Sequence, residues 1–498
     1  MKNILEYLEN TPYPNNIAFE DTQTKLTFKE IKQYAKSIGS FFAQNKIYKQ
    51  PVPIFMEKSP QTISGFLGVV YSGNYYVPLD MSMGETRIKM ILQKVNSSTI
   101  ICDNSTYEIS KTWGYKHINF NELVKHEICD LKLENIRNKS IDTDPVYVVF
   151  TSGSTGTPKG VVATHRGIIS YVNALCPVLN INENTVFGNQ SPLYLDACLK
   201  EIFPTFKYSA KTYLIPPQLF MFPVKLIEFI NDKKINTICW VASALSMISG
   251  LGALKNNVPK TLQVVAFGSE VFPQNHLKQW ITALPNTKFV HLYGPTETTG
   301  MATYYVVDKN KLDSQTPIGQ AFNNREVFLI NESGHIPRPG QTGEIYIRGC
   351  QLSPGYFADP KGTNNRFIQN PLLPFPDIVY KTGDLAYENE NGHLVFISRI
   401  DHQIKHMGYR IELTEIEATA LNLNEVAIAC AVFYKEKSRI ELFYSGQVST
   451  AELSNHLKQN LPKYMEPKKI HKLKNLPLTP GGKVDRQALV EKVGFNNG

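Results

Sequence analysis

Thr151–Gly160 reads TSGSTGTPKG, a run of serines and threonines interleaved with three glycines, one proline and one lysine. The preceding residues, Val146–Phe150 (VYVVF), are apolar and β-branched and predict a buried strand. Thr164 through Leu175 predicts a helix with its cap at the threonine. A Gly/Ser/Thr loop leaving a strand can turn several backbone N–H groups toward one anion, and Lys159 adds a full positive charge. That chemistry suits a polyphosphate. The loop is not a Walker A motif, because Pro158 and Gly160 flank Lys159 and GK[ST] is absent. The alternative is a flexible surface linker.

The chain has 498 residues, which predicts two or three domains. Hydrophobic residues make up 42% and charged residues 19%, the balance of a globular protein rather than a disordered one. The net charge of +8 is spread over scattered lysines, and no nucleic-acid-binding signature accompanies it, so no nucleic-acid partner is expected. The seven cysteines are isolated from one another, with no CxxC pair, and read as reduced residues of a cytoplasmic protein. The N-terminus lacks the apolar core of a signal peptide. The longest apolar run, Val426–Tyr434, is too short to span a bilayer, so no membrane insertion is expected.

Before the loop, strand-like and helix-like segments alternate. Leu26–Ile31 leads into an amphipathic stretch through Phe42; Pro51–Phe55 and Thr99–Cys102 read as strands, Thr62–Tyr71 as a helix, and Val77–Asp80 as a turn. The rhythm recurs between Thr185 and Tyr293 and predicts a layered α/β fold with parallel strands. From Glu326 to Phe396 short strands dominate, including Glu326–Ile330, Gly343–Arg348 and His393–Ile397, and predict a β-rich subdomain. A helix is expected from about Thr414 to Leu421, inside a compact α+β tail. The expected organisation is a large core over 1–397 with its β-rich part at 326–397, a boundary at 398–402, and a small α+β domain over 403–498.

Six stretches then fall in order: TSGSTGTPKG; Tyr293–Thr298 (YGPTET); Tyr380–Leu385 (YKTGDL); Arg399–Glu417 (RIDHQIKHMGYRIELTEIE); Leu461–Pro467 (LPKYMEP); and Thr479–Leu489 (TPGGKVDRQAL). In order and spacing they resemble the signatures of the adenylate-forming ligases, above all amino-acid adenylation domains of nonribosomal peptide synthetases and stand-alone D-alanine–carrier-protein ligases. The resemblance runs from Leu26 to Leu489. Physical chemistry supports it. Adenylation brings a carboxylate to the α-phosphorus of ATP, so cations must screen two anions while positioning supplies much of the rate.

The resemblance assigns roles residue by residue. Thr151, Ser152, Gly153, Ser154, Thr155, Gly156 and Lys159 would hold the ATP phosphates. Lys483 would bridge the substrate carboxylate and the α-phosphate. Glu297 would ligate Mg²⁺, for which hard oxygen ligands are suited. Thr296 would face the phosphates and Tyr293 would stack on adenine. Asp384 would accept from the ribose diol, with Arg399 supporting the same sugar. Asp401 would be the hinge, about which the C-terminal domain alternates between presenting Lys483 to ATP and the Gly408 region to a pantetheine tunnel. The chain departs from the family pattern at Ser398 and Gly481, where glycine and asparagine are usual, and at His291, where a small or amide residue is usual.

Ser191–Phe203 (SPLYLDACLKEIF) resembles the family segment whose aspartate pairs with a substrate ammonium, here Asp196. A buried carboxylate is costly unless paired, which points to an amino acid. Ala197, Lys200, Val241, Val265, Phe267, Leu292, Gly300 and Met301 carry over as further pocket positions, with Phe267 expected to shorten the pocket. Lys200 pointing inward would favour an acidic side chain; Lys200 snorkelling outward would leave a pocket for a small or medium apolar amino acid. No carrier domain follows Leu489 and no phosphopantetheine-attachment motif appears, so the expected acceptor is a separate carrier protein. An acyl-CoA or aryl-CoA ligase would not need Asp196. A non-catalytic adenylate-binding protein would not need Lys159, Glu297, Asp384, Arg399 and Lys483 together.

Overall fold

The computed structural model describes residues 1–153, 157–312, 315–401, 403–434, 437–478 and 484–495, with side chains as far as 490. By its internal contacts the chain divides into two compact units. One comprises Met1–Leu79, Ser97–Val149 and Gly160–Ile400; the other comprises Asp80–Asn96, Phe150–Lys159 and Asp401–Gly498.

The largest sheet, nine strands among the described residues, dominates the first unit. Six central strands are parallel, in the spatial order Lys288–Tyr293, Val264–Gly268, Thr237–Val241, Val186–Asn189, Lys211–Leu214 and Ile17–Glu20. Antiparallel strands close both edges. The central segments are almost continuously buried, Thr237–Val241 and Val264–Gly268 without exception, as expected where both faces are covered. Alternation divides them between two layers. Ile238, Trp240, Val265 and Phe267 pack with Leu245, Leu277 and Trp280; Cys239, Ala266, Val290 and Leu292 pack with Ile168, Leu175, Phe203 and Phe206.

Capping sets the helix starts. Thr27 and Glu30 form a reciprocal capping box at the head of Phe28–Gln44, and Thr164 Oγ1 accepts from the Gly167 N–H at 3.2 Å at the head of His165–Val178. The start at Thr164 follows the sequence expectation; the cap at Thr27 was not singled out there. Val77–Asp80 corrects an expectation: Val77–Leu79 lies inside the strand Tyr75–Leu79, with Ile54 opposite Pro78 in a parallel pair. Pro78 and Asp80 suggested a turn, but burial on both faces decides for strand. The β-rich region is a separate five-stranded sheet built around Ile378–Glu388, which pairs antiparallel with Gly343–Gly349, Phe367–Gln369 and Leu394–Arg399.

In the second unit, Val426–Tyr434, Arg439–Gly446 and Lys469–Lys472 form a three-stranded sheet. The hairpin of Gln403–His406 and Tyr409–Glu412 turns on Met407 (φ 53°) and Gly408 (φ 82°), both left-handed, as a two-residue hairpin loop requires. Ile411, Ile416, Ile440, Leu442, Leu453 and Leu457 form its core.

Trp280 is fully buried in the first unit and donates from Nε1 to the Leu245 carbonyl at 2.9 Å. Trp280→Ala is expected to cost roughly 3–5 kcal/mol through the cavity it leaves. Equilibrium urea unfolding would register this as a lower midpoint, with Trp280→Phe falling between the two.

Candidate active site

The chain leaves strand Val186–Asn189 and returns through Lys211–Leu214 on one side; its next strand, Thr237–Val241, pairs on the other side. Chain direction across the sheet reverses at that point. Crossovers leave a crevice beyond the carboxyl ends of such strands, where α/β sheets bind ligands. Asp196 stands on the short turn Asp196–Cys198 that follows this strand. Near it are Tyr147 and Tyr171, both fully buried, whose hydroxyls have no hydrogen-bond partner among the described residues. Burial pushes both phenols well above their usual range, and the Asp196 carboxylate adds to the push. Ala197 is half-buried beside it.

Lys200 is 3% exposed, so its side chain lies within the fold rather than extending along the outer surface. The next residue, Glu201, is fully buried. Its Oε2 accepts from Asn189 Nδ2 at 3.3 Å and its Oε1 has no partner among the described residues. Burial pushes the Glu201 carboxyl up to about 8, against the opposing pull of Lys200. Glu201 is therefore largely protonated at neutral pH.

The pocket positions expected from sequence fall into two packing clusters. Leu292 and Met301 join the core that holds Cys198 and Leu199. Val241, Val265 and Phe267 belong to the other core, where Phe267 stacks on His291 (5.0 Å between ring centres, 14° between planes) and meets Phe272 edge-on. Alternation explains the split: Leu292 lies opposite Gly268, whereas Phe267 lies opposite His291. Phe267 thus fills the layer against Leu245, Leu277 and Trp280 rather than the side of Met301. Gly300, at φ 83°, runs against Tyr171; a Cβ there would lie 2.8 Å from the ring, so glycine is required.

Tyr293, Asp384 and Arg399 come together. The Tyr293 hydroxyl donates to Asp384 Oδ2 at 2.6 Å and Arg399 Nη1 pairs with Oδ1 at 2.5 Å. Arg399 Nη2 also donates to the Thr382 carbonyl at 3.2 Å, and the Asp384 N–H donates to Thr382 Oγ1 at 3.0 Å. Gly383, at φ 79°, makes the turn, with its N–H donating to Glu344 Oε1 at 2.8 Å. Asp384 is almost fully buried yet held on both oxygens.

Glu297 is 1% exposed on the short turn Thr296–Thr298, and Tyr356 donates to its Oε1 at 2.7 Å. Thr296 is half-buried on the same turn. Among the described residues no three His, Cys, Asp or Glu side chains gather as a metal cage. One buried carboxylate suits Mg²⁺ held jointly with substrate phosphates, the usual mode for that ion.

The phosphate-loop residues belong to the second unit. Thr151 ends the strand Pro145–Thr151 and Lys159 opens Lys159–Thr164, half-buried. A Cβ on Gly153 would lie 2.0 Å from the Thr157 carbonyl oxygen, so the loop closes only around glycine. In that unit Ser152 Oγ donates to the Arg410 carbonyl at 2.6 Å. The Gly153 N–H donates to Glu415 Oε2 at 3.2 Å, while Arg87 pairs with Oε1 at 2.6 Å. The loop amide thus already faces a carboxylate. Asp401 opens the second unit's C-terminal segment and accepts from the Gln403 N–H at 3.3 Å. Ser154, Thr155, Gly156 and Lys483 lie outside the described residues.

Sequence reasoning missed Tyr356, Glu344 and Glu201. Each acts through a contact distant in the chain or through burial, neither of which a local motif displays. A cleft of about 320 Å³ at the amino ends of the same parallel strands, lined by Asn180, Asn182, Asn184, Asn236 and Gln263 among others, holds no titratable side chain and is remote from this chemistry.

Residues 9–357 match the family model of the AMP-binding enzymes. The chain belongs to the AMP-binding enzyme family. It is an adenylate-forming ligase that uses ATP. Gramicidin S synthase 1 of Brevibacillus brevis is 30% identical over 499 residues, covering 96% of this chain and 43% of that protein. The chain spans less than half the length of the curated relatives it matches. Among solved structures, the Vibrio cholerae adenylation domain AlmE, in complex with glycyl-adenosine-5'-phosphate, has the same fold (TM-score 0.85, 22% identity, 99% of this chain and 97% of that one). So does holo-PA1221, an NRPS protein containing adenylation and PCP domains (TM-score 0.84, 23% identity, 99% and 84%). No helix among the described residues is long and apolar enough to cross a membrane.

Tyr356→Phe removes a hydrogen bond to a buried carboxylate while keeping the ring. ATP–pyrophosphate exchange should fall by about tenfold, the equivalent of roughly 1.4 kcal/mol. Raising Mg²⁺ should recover part of the loss. Glu201 gives a stability signature. Its folded pKa, about 8, exceeds its unfolded value of 4.5, so between those values the folded state binds more protons and stability falls as pH rises. Below and above that window its contribution is flat. Glu201→Gln should flatten the pH 5–8 segment of a melting-temperature profile and raise stability most at its alkaline end.

Proposed function

We propose that this chain activates an amino acid with ATP as the aminoacyl-adenylate and passes the acyl group to the phosphopantetheine thiol of a separate carrier protein. The observation that carries the reading is the position of Asp196 at the reversal point of the parallel sheet, among Tyr147 and Tyr171. A carboxylate in such surroundings is stabilised by a cationic partner, and an α-ammonium supplies one. Ala197, Lys200, Leu292, Gly300 and Met301 complete the amino-acid end of the site. The relatives point the same way: AlmE carries a glycyl-adenylate and PA1221 joins an adenylation domain to a PCP domain.

In the first half-reaction a substrate carboxylate oxygen attacks the α-phosphorus and pyrophosphate leaves. Lys483 screens the two anions as they meet, and Lys159 with the loop amides of 151–156 holds the phosphates. Asp384, fixed by Tyr293 and Arg399, accepts from the ribose diol; Tyr293 also offers its ring to adenine. Mg²⁺, held by Glu297 beside Thr296, would neutralise phosphate charge when bound. In the second half-reaction the carrier thiolate attacks the carbonyl carbon and AMP leaves. Residues 403–498 pivot at Asp401 between the two steps.

The burial of Lys200 bears on the substrate side chain. Its neighbour Glu201 is largely protonated, so the ammonium lacks a strong counter-charge there. This favours an acidic amino acid whose side-chain carboxylate pairs with Lys200.

Asp196 is half-buried rather than buried, so the pair is shielded from water only once substrate covers it. Asp196→Ala should then raise the Michaelis constant for the preferred amino acid by about a hundredfold or more, since breaking a shielded charge pair costs roughly 3–5 kcal/mol. Des-amino analogues, which never formed the pair, should change little. An equal effect on both would refute the pairing. Lys200→Leu should shift pyrophosphate exchange from acidic to apolar amino acids; an unchanged profile would remove the acidic assignment. Thioester should appear on a phosphopantetheinylated carrier, and formation on free CoA instead would make the chain a CoA ligase.

A further inference from the structure

Arg325 opens the strand Arg325–Ile330 and is 9% exposed. Its guanidinium carbon lies 5.4 Å from the centre of the Phe322 ring and 5.9 Å from that of Tyr171. Nη1 donates to the Met301 carbonyl. Nε and Nη2, which form the other edge of the fork, are buried without a partner, and no carboxylate pairs with Arg325 among the described residues. Burial lowers its pKa to about 10, so the group remains charged at neutral pH. An unpaired buried charge is expensive. Two aromatic rings and one charge-assisted bond to a carbonyl offset part of that cost.

What these contacts hold is a short segment with unusual backbone. Thr299 (φ 48°) and Gly300 (φ 83°) are both left-handed, and left-handed backbone is strained for a β-branched residue such as Thr299. The segment rests against Tyr171 at Gly300 and against Gly167 at Thr299, where an added Cβ on Gly167 would lie 2.9 Å from Thr299 Oγ1. The hydroxyls of Thr299 and Tyr171 are buried and unpartnered. Arg325 therefore touches the segment at Met301 and also the ring on which Gly300 rests.

We infer that Arg325 is a positioning residue for the acid-binding end of the site, fixing Thr299–Gly300–Met301 and Tyr171 so that the wall facing the substrate keeps one shape. The inference rests on the function proposed above in taking Gly300 and Met301 as part of that wall. Arg325 itself does not touch the reacting atoms. Its loss should weaken binding of the acid far more than binding of ATP: the segment does bond to its neighbours at Tyr293 and Thr296, but the carboxylates assigned to ATP are oriented by other side chains, Asp384 by Tyr293 and Arg399 and Glu297 by Tyr356.

The test compares Arg325→Met and Arg325→Lys with wild type in the full chain, by pyrophosphate exchange with separate titrations of acid and ATP and a melting curve for each protein. R325M should raise KM for the acid about tenfold or more, with KM for ATP within about twofold. R325K, which can still donate to the Met301 carbonyl, should recover most of the loss. Should R325M not fold, Arg325→Gln takes its place, with the same expected rise in acid KM at nearly constant ATP KM. A merely structural role would lower the melting temperature with both KM values unchanged or moving in parallel, and that result overturns the inference. A wild-type preference for acids without an amino group would overturn the proposed substrate class instead, and the acid-against-ATP comparison would stay readable with whichever acid is activated.

Discussion

The strand Val186–Asn189 hydrogen-bonds to parallel neighbours on both sides, Lys211–Leu214 and Thr237–Val241, and the rest of the site depends on that double pairing. It fixes the place where the sheet reverses direction and hence where a crevice must open. Gly188 makes the arrangement possible: Ile215 and Ile235 approach so closely that an added Cβ would sit 3.1 Å from each. Trp240 ties the neighbouring strand across by donating to the Gly188 carbonyl at 2.7 Å. Asp196, Lys200 and Glu201 follow from this strand's carboxyl end, so their place is set by backbone pairing rather than by their own chemistry.

Charge is distributed unevenly in the buried regions, and the unevenness carries the functional argument. Asp384 is held by Arg399 and Tyr293, Glu297 by Tyr356, and Glu415 by Arg87. These carboxylates have partners that orient them. Lys200 and Arg325 are buried residues without a carboxylate in salt-bridge reach among the described residues, and both lie near the proposed acid-binding end. A cation held within the fold without an anion is a liability unless a ligand or a constrained backbone compensates. Substrate is the compensation proposed for Lys200, and a held backbone segment the one proposed for Arg325.

The layered α/β architecture, the β-rich region, the helix after the phosphate loop and the final α+β segment were legible, because period-2 and period-3.6 patterns and a cap such as Thr164 are local signals. Val77–Asp80 was misread because proline and aspartate outweighed burial. At the site, Tyr293, Asp384 and Arg399 were each singled out by motif, and Arg399 was expected beside Asp384, but the bond from Tyr293 was invisible: Asp384 lies 91 residues from Tyr293 in the chain. The expected pocket positions divide between two packing layers, a division not visible from sequence because position along a strand does not reveal facing until register is known. Phe267 shows this most clearly, stacked on His291 in the layer opposite Leu292. Tyr356 and Arg325 carried no signal at all. A tyrosine in a loop and an arginine at a strand start acquire meaning only from what they touch.

The central claim is that the crevice beyond Asn189 receives a carboxylic acid bearing an ammonium group. Its most direct test is ATP–pyrophosphate exchange by the wild-type protein across a panel of D- and L-amino acids, aryl acids and fatty acids. The account predicts exchange confined to amino acids and strongest with an acidic one. Preferred exchange with an aryl or fatty acid would contradict it.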